Sequence, residues 1–138
     1  MLKGEGLTKM PRPITRKGIV RKLDKIVGDI VKLRDGECVV CHTKSNLTPG
    51  HLFSRVAYST RWDLDNLFCQ CSTCNYRHEY DPYPLMAYAD SVLGKKKVQT
   101  LHKQWGIPHK FSTPQLVDLY EELQNYLVDL GMEGQNES

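Results

Sequence analysis

The sequence predicts an α+β domain: a small cysteine-stapled core of short strands, flanked by amphipathic helices at its N-terminal and C-terminal sides. Three observations carry this. Apolar residues recur at helical spacing near both ends of the chain. Two Cys-x-x-Cys pairs bracket a middle stretch that has no helical period and is dotted with turn residues. The length, 138 residues, suits one compact domain.

Residues 1–14 hold Gly, Lys and prolines without periodicity and read as a flexible basic leader. Over 15–34, Ile19, Leu23, Ile26, Val27, Ile30 and Leu33 form an apolar stripe opposite a Lys/Arg face, and Asp35-Gly36 supplies a stop. Within 37–80, short strands are expected near Leu47–Phe53 and Leu67–Gln70, with a helix starting around Ser72. Pro82 and Pro84 interrupt the chain. Helical pattern resumes over 85–105, broken near Gly94, with Leu85, Tyr88, Ala89 and Val92 in the first piece and Val98, Leu101 and Trp105 in the second. Thr113-Pro114 reads as N-cap and first helical residue of a last helix over 114–130, closed by Gly131. Residues 132–138 read as a disordered tail, so a single domain is expected over 15–131.

The cysteine pairs are Cys38-Val-Val-Cys41 and Cys71-Ser-Thr-Cys74. Each turn can present two thiolates on one side of a bend, and two such turns can surround a tetrahedral Zn²⁺. A site with four thiolates has no open position, so this zinc is expected to be scaffold. It would contribute folding free energy on the order of 10 kcal/mol. The fifth cysteine, Cys69, reads as a buried free thiol, and the odd total rules out a fully paired disulfide framework.

Between and just after the knuckles stand Gly50-His51, Asp65-Asn66 and Asn75, the last directly following Cys74. With CVVC at 38–41, GH at 50–51, DN at 65–66 and CSTCN at 71–75, the sequence resembles the HNH endonucleases of the ββα-metal (His-Me finger) group. Within them it is most like the phage recombination protein NinG (Rap) family. The resemblance covers 37–80 well and implies a zinc-stapled ββα-metal core. It implies His51 as the general base that activates water for attack on a phosphodiester, and Asn66 as the residue that pins the loop after the first strand. Asn75 would hold a catalytic divalent ion, Mg²⁺ or Mn²⁺. His78 and Glu79 share its helical face and are further candidate ligands. Many HNH enzymes carry a metal-ligating side chain just before the base; here that position is Gly50.

Charge points to a polyanion. Residues 1–34 hold ten basic and three acidic residues, leaving nine basic and thirteen acidic for the rest. Lys17 and Arg21 on the first helix, Arg55 and Arg61 around the loop, and Arg77 after the second knuckle are the expected DNA contacts. Trp62 is expected to anchor the core. No apolar run is long enough to cross a bilayer and no signal peptide is visible, so a reducing cytoplasm (the host's, if phage-encoded) is the expected compartment. The expected function is metal-dependent DNA cleavage, on branched or recombination DNA. Cutting both strands of a four-way junction calls for two active sites, hence a homodimer. The alternative is a zinc-stapled nucleic-acid-binding module without catalysis.

Overall fold

Thr15 opens the first helix, its hydroxyl accepting the Gly18 N–H at 3.0 Å. A computed structural model of the protein, describing residues 13–137, carries this helix, α1, over Arg16–Asp35. It ends where Gly36 takes a left-handed conformation (φ 75°) that an L side chain rarely adopts. Ile19, Leu23, Ile26, Val27, Ile30 and Val31 are its buried stripe, while Leu33, expected in that stripe, is exposed. Most of the predicted leader, residues 1–12, lies outside the described residues.

Two strands follow, β1 (Leu47–His51) and β2 (Leu67–Cys71), paired antiparallel with Leu47 opposite Cys71 and His51 opposite Leu67. β2 is buried along its whole length because apolar layers cover both faces. Leu67 and Cys69 join the α1 stripe, with Leu116 and Leu123 of the last helix beyond it. Phe68 joins a second cluster with Val39, Leu52, Leu85, Ala89 and Val98. Arg34 and Asp35 fasten α1 to β2: the guanidinium donates to the carbonyls of Leu64 and Leu67, and the Asp35 carboxylate accepts the Cys69 N–H. Cys69 is a fully buried free thiol, as expected.

Between the strands run a single helical turn, α2 (Tyr58–Arg61), and a 3₁₀ turn at Leu64–Asn66. After β2 come α3 (Ser72–His78), α4 (Tyr83–Leu93), α5 (Lys95–Trp105) and α6 (Thr113–Glu137). The prolines fall at the break between α3 and α4, as expected, and they also begin α4, with Pro82 as N-cap and Pro84 in the first turn, where a missing N–H costs nothing. Val92 of α4 is exposed.

Two expectations for α6 are corrected. Its cap is Ser112, one residue earlier than predicted. The Ser112 hydroxyl accepts the Gln115 N–H and the Gln115 side chain accepts the Ser112 N–H, a reciprocal capping box. The helix also runs through Gly131 to Glu137, so the expected tail at 132–137 is helical; Ser138 lies outside the described residues. The protein is thus α+β, a two-stranded sheet within a helical frame. Among the described residues, no helix is long and apolar enough to cross a membrane.

Candidate functional site

The two knuckles meet. The Sγ atoms of Cys38, Cys41, Cys71 and Cys74 all lie within 4.8 Å of one another, and those of Cys41 and Cys71 are 3.7 Å apart. Zn–S bonds of about 2.3 Å in a tetrahedron require sulfur–sulfur edges of about 3.8 Å, so the cluster has the size of a structural zinc site. Each turn also aims an N–H at its first sulfur, Cys41 N–H at Cys38 and Cys74 N–H at Cys71. Burial opposes a thiolate on Cys38, yet backbone N–H groups of Cys41, Cys71 and Val40 outweigh it and bring its pKa down to about 6. Burial and the neighbouring thiols push Cys74 up to about 12. Four crowded sulfurs thus resist joint ionisation until a cation neutralises them.

This cluster sets the geometry of the rest. Cys71 ends β2 and is also the N-cap of α3, so the knuckle fixes both the start of that helix and the position of Asn75 on its first turn. On the other side, the Val39 N–H bonds the Cys69 carbonyl and the Ser72 N–H bonds the Asn46 carbonyl, stitching the first knuckle to the sheet.

His51 closes β1. Its Nε2 lies 2.9 Å from the carbonyl oxygen of Arg61. A carbonyl can only accept, so Nε2 carries the proton and Nδ1 keeps the lone pair. Burial lowers the pKa of the ring below 6.5; the Arg61 carbonyl pulls the other way, and the nearby Arg55 adds to the depression. The imidazole is therefore neutral at ordinary pH, with one nitrogen fixed and the other free to take a proton.

The loop that supplies the Arg61 carbonyl is held by two clamps. Asn66, fully buried, accepts the Phe53 N–H (2.9 Å) and donates to the carbonyls of Phe53 (3.0 Å) and Thr60 (3.1 Å). These bonds tie residues 53 and 60 of the loop after β1 to the end of the 3₁₀ turn. Asp24, on α1, is the second clamp, one that no sequence pattern marks. Its carboxylate accepts two hydrogen bonds from the Arg61 guanidinium, one from the Trp62 indole and one from Arg55. Burial alone would raise the Asp24 pKa; the bonds from Arg61 and Trp62 hold it below 3.8. Arg61 also stacks on Tyr58 and Trp62. Its fork is engaged, so its place is in the loop anchor and not on a ligand phosphate. Trp62 is a core anchor, as expected.

His51, Asn75, His78 and Glu79 all line one open cleft of about 1050 Å³, with Asp24, Arg55, Ser54 and Tyr76 around it. His78 repeats the His51 arrangement: its Nε2 donates to the Leu52 carbonyl at 2.9 Å, while Nδ1 is buried without a partner. Glu79, the next residue, is exposed. Of the remaining basic residues, Lys17, Arg21 and Arg77 are exposed. Lys17 and Arg21 lie two turns and one turn before Asp24 on the same stripe of α1, so they extend from the rim of the cleft. Arg55 sits on the rim, half committed to Asp24.

Gly50 is buried against Gln70 of β2. A Cβ there would lie 2.1 Å from Gln70 Oε1 and 3.1 Å from Asn75 Oδ1. Gln70 is 1% exposed and its Oε1 has no hydrogen-bond partner, an omission that ordinarily costs about 1–3 kcal/mol. The sequence signal for it was slight: a lone polar residue in the otherwise apolar run LFCQC. Comparison with protein-family models, curated proteins and solved structures finds no match.

Proposed function

We propose that the protein is a metal-dependent DNA endonuclease of the HNH type, built on a zinc-stapled ββα-metal core and hydrolysing phosphodiester bonds in branched or recombination DNA of a phage. The observation that carries this reading is His51: a neutral imidazole with Nε2 tied to a backbone carbonyl and a free nitrogen at a cleft it shares with Asn75.

His51 Nδ1 takes a proton from the attacking water as the new P–O bond forms. The Arg61 carbonyl steadies the imidazolium, and the Asn66 and Asp24 clamps keep that carbonyl in position. Asn75, His78 and Glu79 would hold the divalent ion. The donor set fits: an amide oxygen and a carboxylate are hard ligands suited to Mg²⁺ or Mn²⁺, and the His78 nitrogen that has no partner is the one left over after its ring is oriented. When bound, such an ion polarises the scissile phosphate and stabilises the leaving oxygen. The four-cysteine zinc site keeps α3 and β1 in register and takes no part in the reaction. Lys17, Arg21, Arg55 and Arg77 supply phosphate contacts, which makes binding weaken as salt rises.

Gly50 favours a second reading, a zinc-stapled nucleic-acid-binding module without catalysis, because a glycine offers no metal ligand just before the base. One experiment separates them. Purified zinc-loaded protein is incubated with Mg²⁺ or Mn²⁺ and supercoiled, nicked and four-way-junction DNA, beside His51→Ala. Cleavage by wild type and none by His51→Ala supports the nuclease. Salt-sensitive binding without any cutting supports the module.

A further inference from the structure

The glycine before the base leaves a gap in the expected ligand set, and the structure fills that gap from the neighbouring strand. Gly50 pairs with Phe68 across the sheet, and alternation puts Gln70 on the same face as Phe68, two residues along. From there the Gln70 carboxamide reaches over Gly50. Its Oε1 occupies the space where a side chain at position 50 would begin, 2.1 Å from the point a Cβ would take, and Asn75 Oδ1 stands 3.1 Å from the same point. Two amide oxygens, one on β2 and one on α3, therefore converge above the one residue in the sheet that has no side chain. No donor reaches Gln70 Oε1, although the residue is almost wholly buried. A buried carbonyl oxygen without a donor is what a cation ligand looks like before its cation is added.

We propose that Gln70 is a ligand of the catalytic divalent ion, taking over from β2 the role that a side chain at position 50 would have had; this rests on the nuclease reading above. Glycine at 50 and glutamine at 70 are then a matched pair. Any side chain at 50 would displace the carboxamide, and the carboxamide supplies the oxygen that glycine lacks. The site so formed is oxygen-rich and neutral on the sheet side, with Glu79 the carboxylate among the candidate ligands, a composition suited to Mg²⁺ or Mn²⁺ and poorly suited to a second zinc.

The test is Mn²⁺ binding to the zinc-loaded full chain, followed by the loss of the free-ion electron paramagnetic resonance signal. Wild type, Asn75→Ala, Gln70→Met and Gln70→Glu are compared, each with zinc content and unfolding midpoint measured alongside. Methionine keeps the volume and removes the oxygen; glutamate keeps the shape and adds charge. The proposal expects Gln70→Met to weaken Mn²⁺ binding by about tenfold or more, and Gln70→Glu to tighten it. Mn²⁺ should also raise the melting temperature of Gln70→Glu more than that of wild type, since the ion relieves a buried carboxylate. A folded Gln70→Met that binds as wild type, while Asn75→Ala binds weakly, overturns the ligand role and leaves the nuclease reading standing. If Gln70→Glu weakens binding as much as Gln70→Met, Gln70 acts as an N–H donor to Asn75, and the ligand role is overturned. Should Gln70→Met fail to fold, Gln70→Glu decides alone: tighter binding supports the proposal and unchanged binding overturns it. Absence of Mn²⁺ binding in wild type defeats both this proposal and the reading beneath it.

Discussion

Replacing Asn66 by alanine should destabilise the protein by about 4–5 kcal/mol. The side chain makes three hydrogen bonds to backbone, to the Phe53 N–H, the Phe53 carbonyl and the Thr60 carbonyl, all between 2.9 and 3.1 Å. At about 1 kcal/mol net for each bond the loss is about 3 kcal/mol. Asn66 and Thr60 are both 0% exposed, so water cannot readily replace the lost donor at the Thr60 carbonyl; that adds about 1–2 kcal/mol for an unpaired buried group. Such a loss is a large part of a typical domain's stability. The assay is urea unfolding of the zinc-loaded protein with free zinc held constant, followed by circular dichroism. Asn66→Asp should fare no better, because it keeps one acceptor, loses both donations and buries a charge. A loss below about 1 kcal/mol in Asn66→Ala would refute the view that this side chain holds the loop 52–66.

Chelating the zinc should unfold the sheet and α3 together, because the four thiols lie among few large apolar residues and cannot all ionise without a cation; circular dichroism read beside metal content checks this, and an unchanged spectrum after zinc loss counts against it. His51 has a folded pKa below the 6.5 of its unfolded form, so the unfolded chain binds more protons between the two values. Its contribution to stability is complete above pH 6.5 and falls as pH drops through that window, and the acid limb of kcat/KM should lie below pH 6.5; a limb at or above 6.5 would show that another group is titrating. Asp24→Asn should cost about 1–2 kcal/mol at neutral pH by weakening the Arg61 fork. Because the Asp24 pKa is depressed below 3.8, the gap between wild type and Asp24→Asn should persist at pH 5 and close only as the pH falls below about 3.8, which unfolding curves at several pH values would reveal.

Much of the frame was legible because it follows from local rules. The α1 stripe, the stop at Gly36 and the full extent of α5 come from periodicity and from glycine conformation, which need no knowledge of the rest of the chain. The doubled Cys-x-x-Cys spacing gave the thiol cluster for the same reason. Where two local signals compete, the sequence misleads. Ser112 and Thr113 are both good caps, and only the reciprocal bond with Gln115 decides for the serine. Gly131 looks like a helix stop, yet α6 passes through it, since a single glycine in a helix costs about 1 kcal/mol and can be overridden.

The candidate site divides along the same line. His51, Asn66 and Asn75 were singled out by the resemblance that GH, DN and CSTCN carry; the structure places His51 and Asn75 at one cleft and Asn66 in the loop beside it. Asp24 was invisible: on α1 it looks like one more solvated acid, and its value comes from partners more than thirty residues away. Arg61 looked like a phosphate clamp for the complementary reason, as a sequence does not reveal which charge is already paired. Gln70 matters only because Gly50 lies under it, a relation set by strand register and absent from either residue alone.

The most direct measurement is the single-turnover rate of strand cleavage on a labelled four-way junction, with Mn²⁺ present, for wild type and for His51→Ala matched in zinc content and unfolding midpoint. The account predicts that wild type cuts and that His51→Ala is slower by about a hundredfold to ten-thousandfold. Equal rates, or no cutting by wild type on any DNA structure tried, would contradict it.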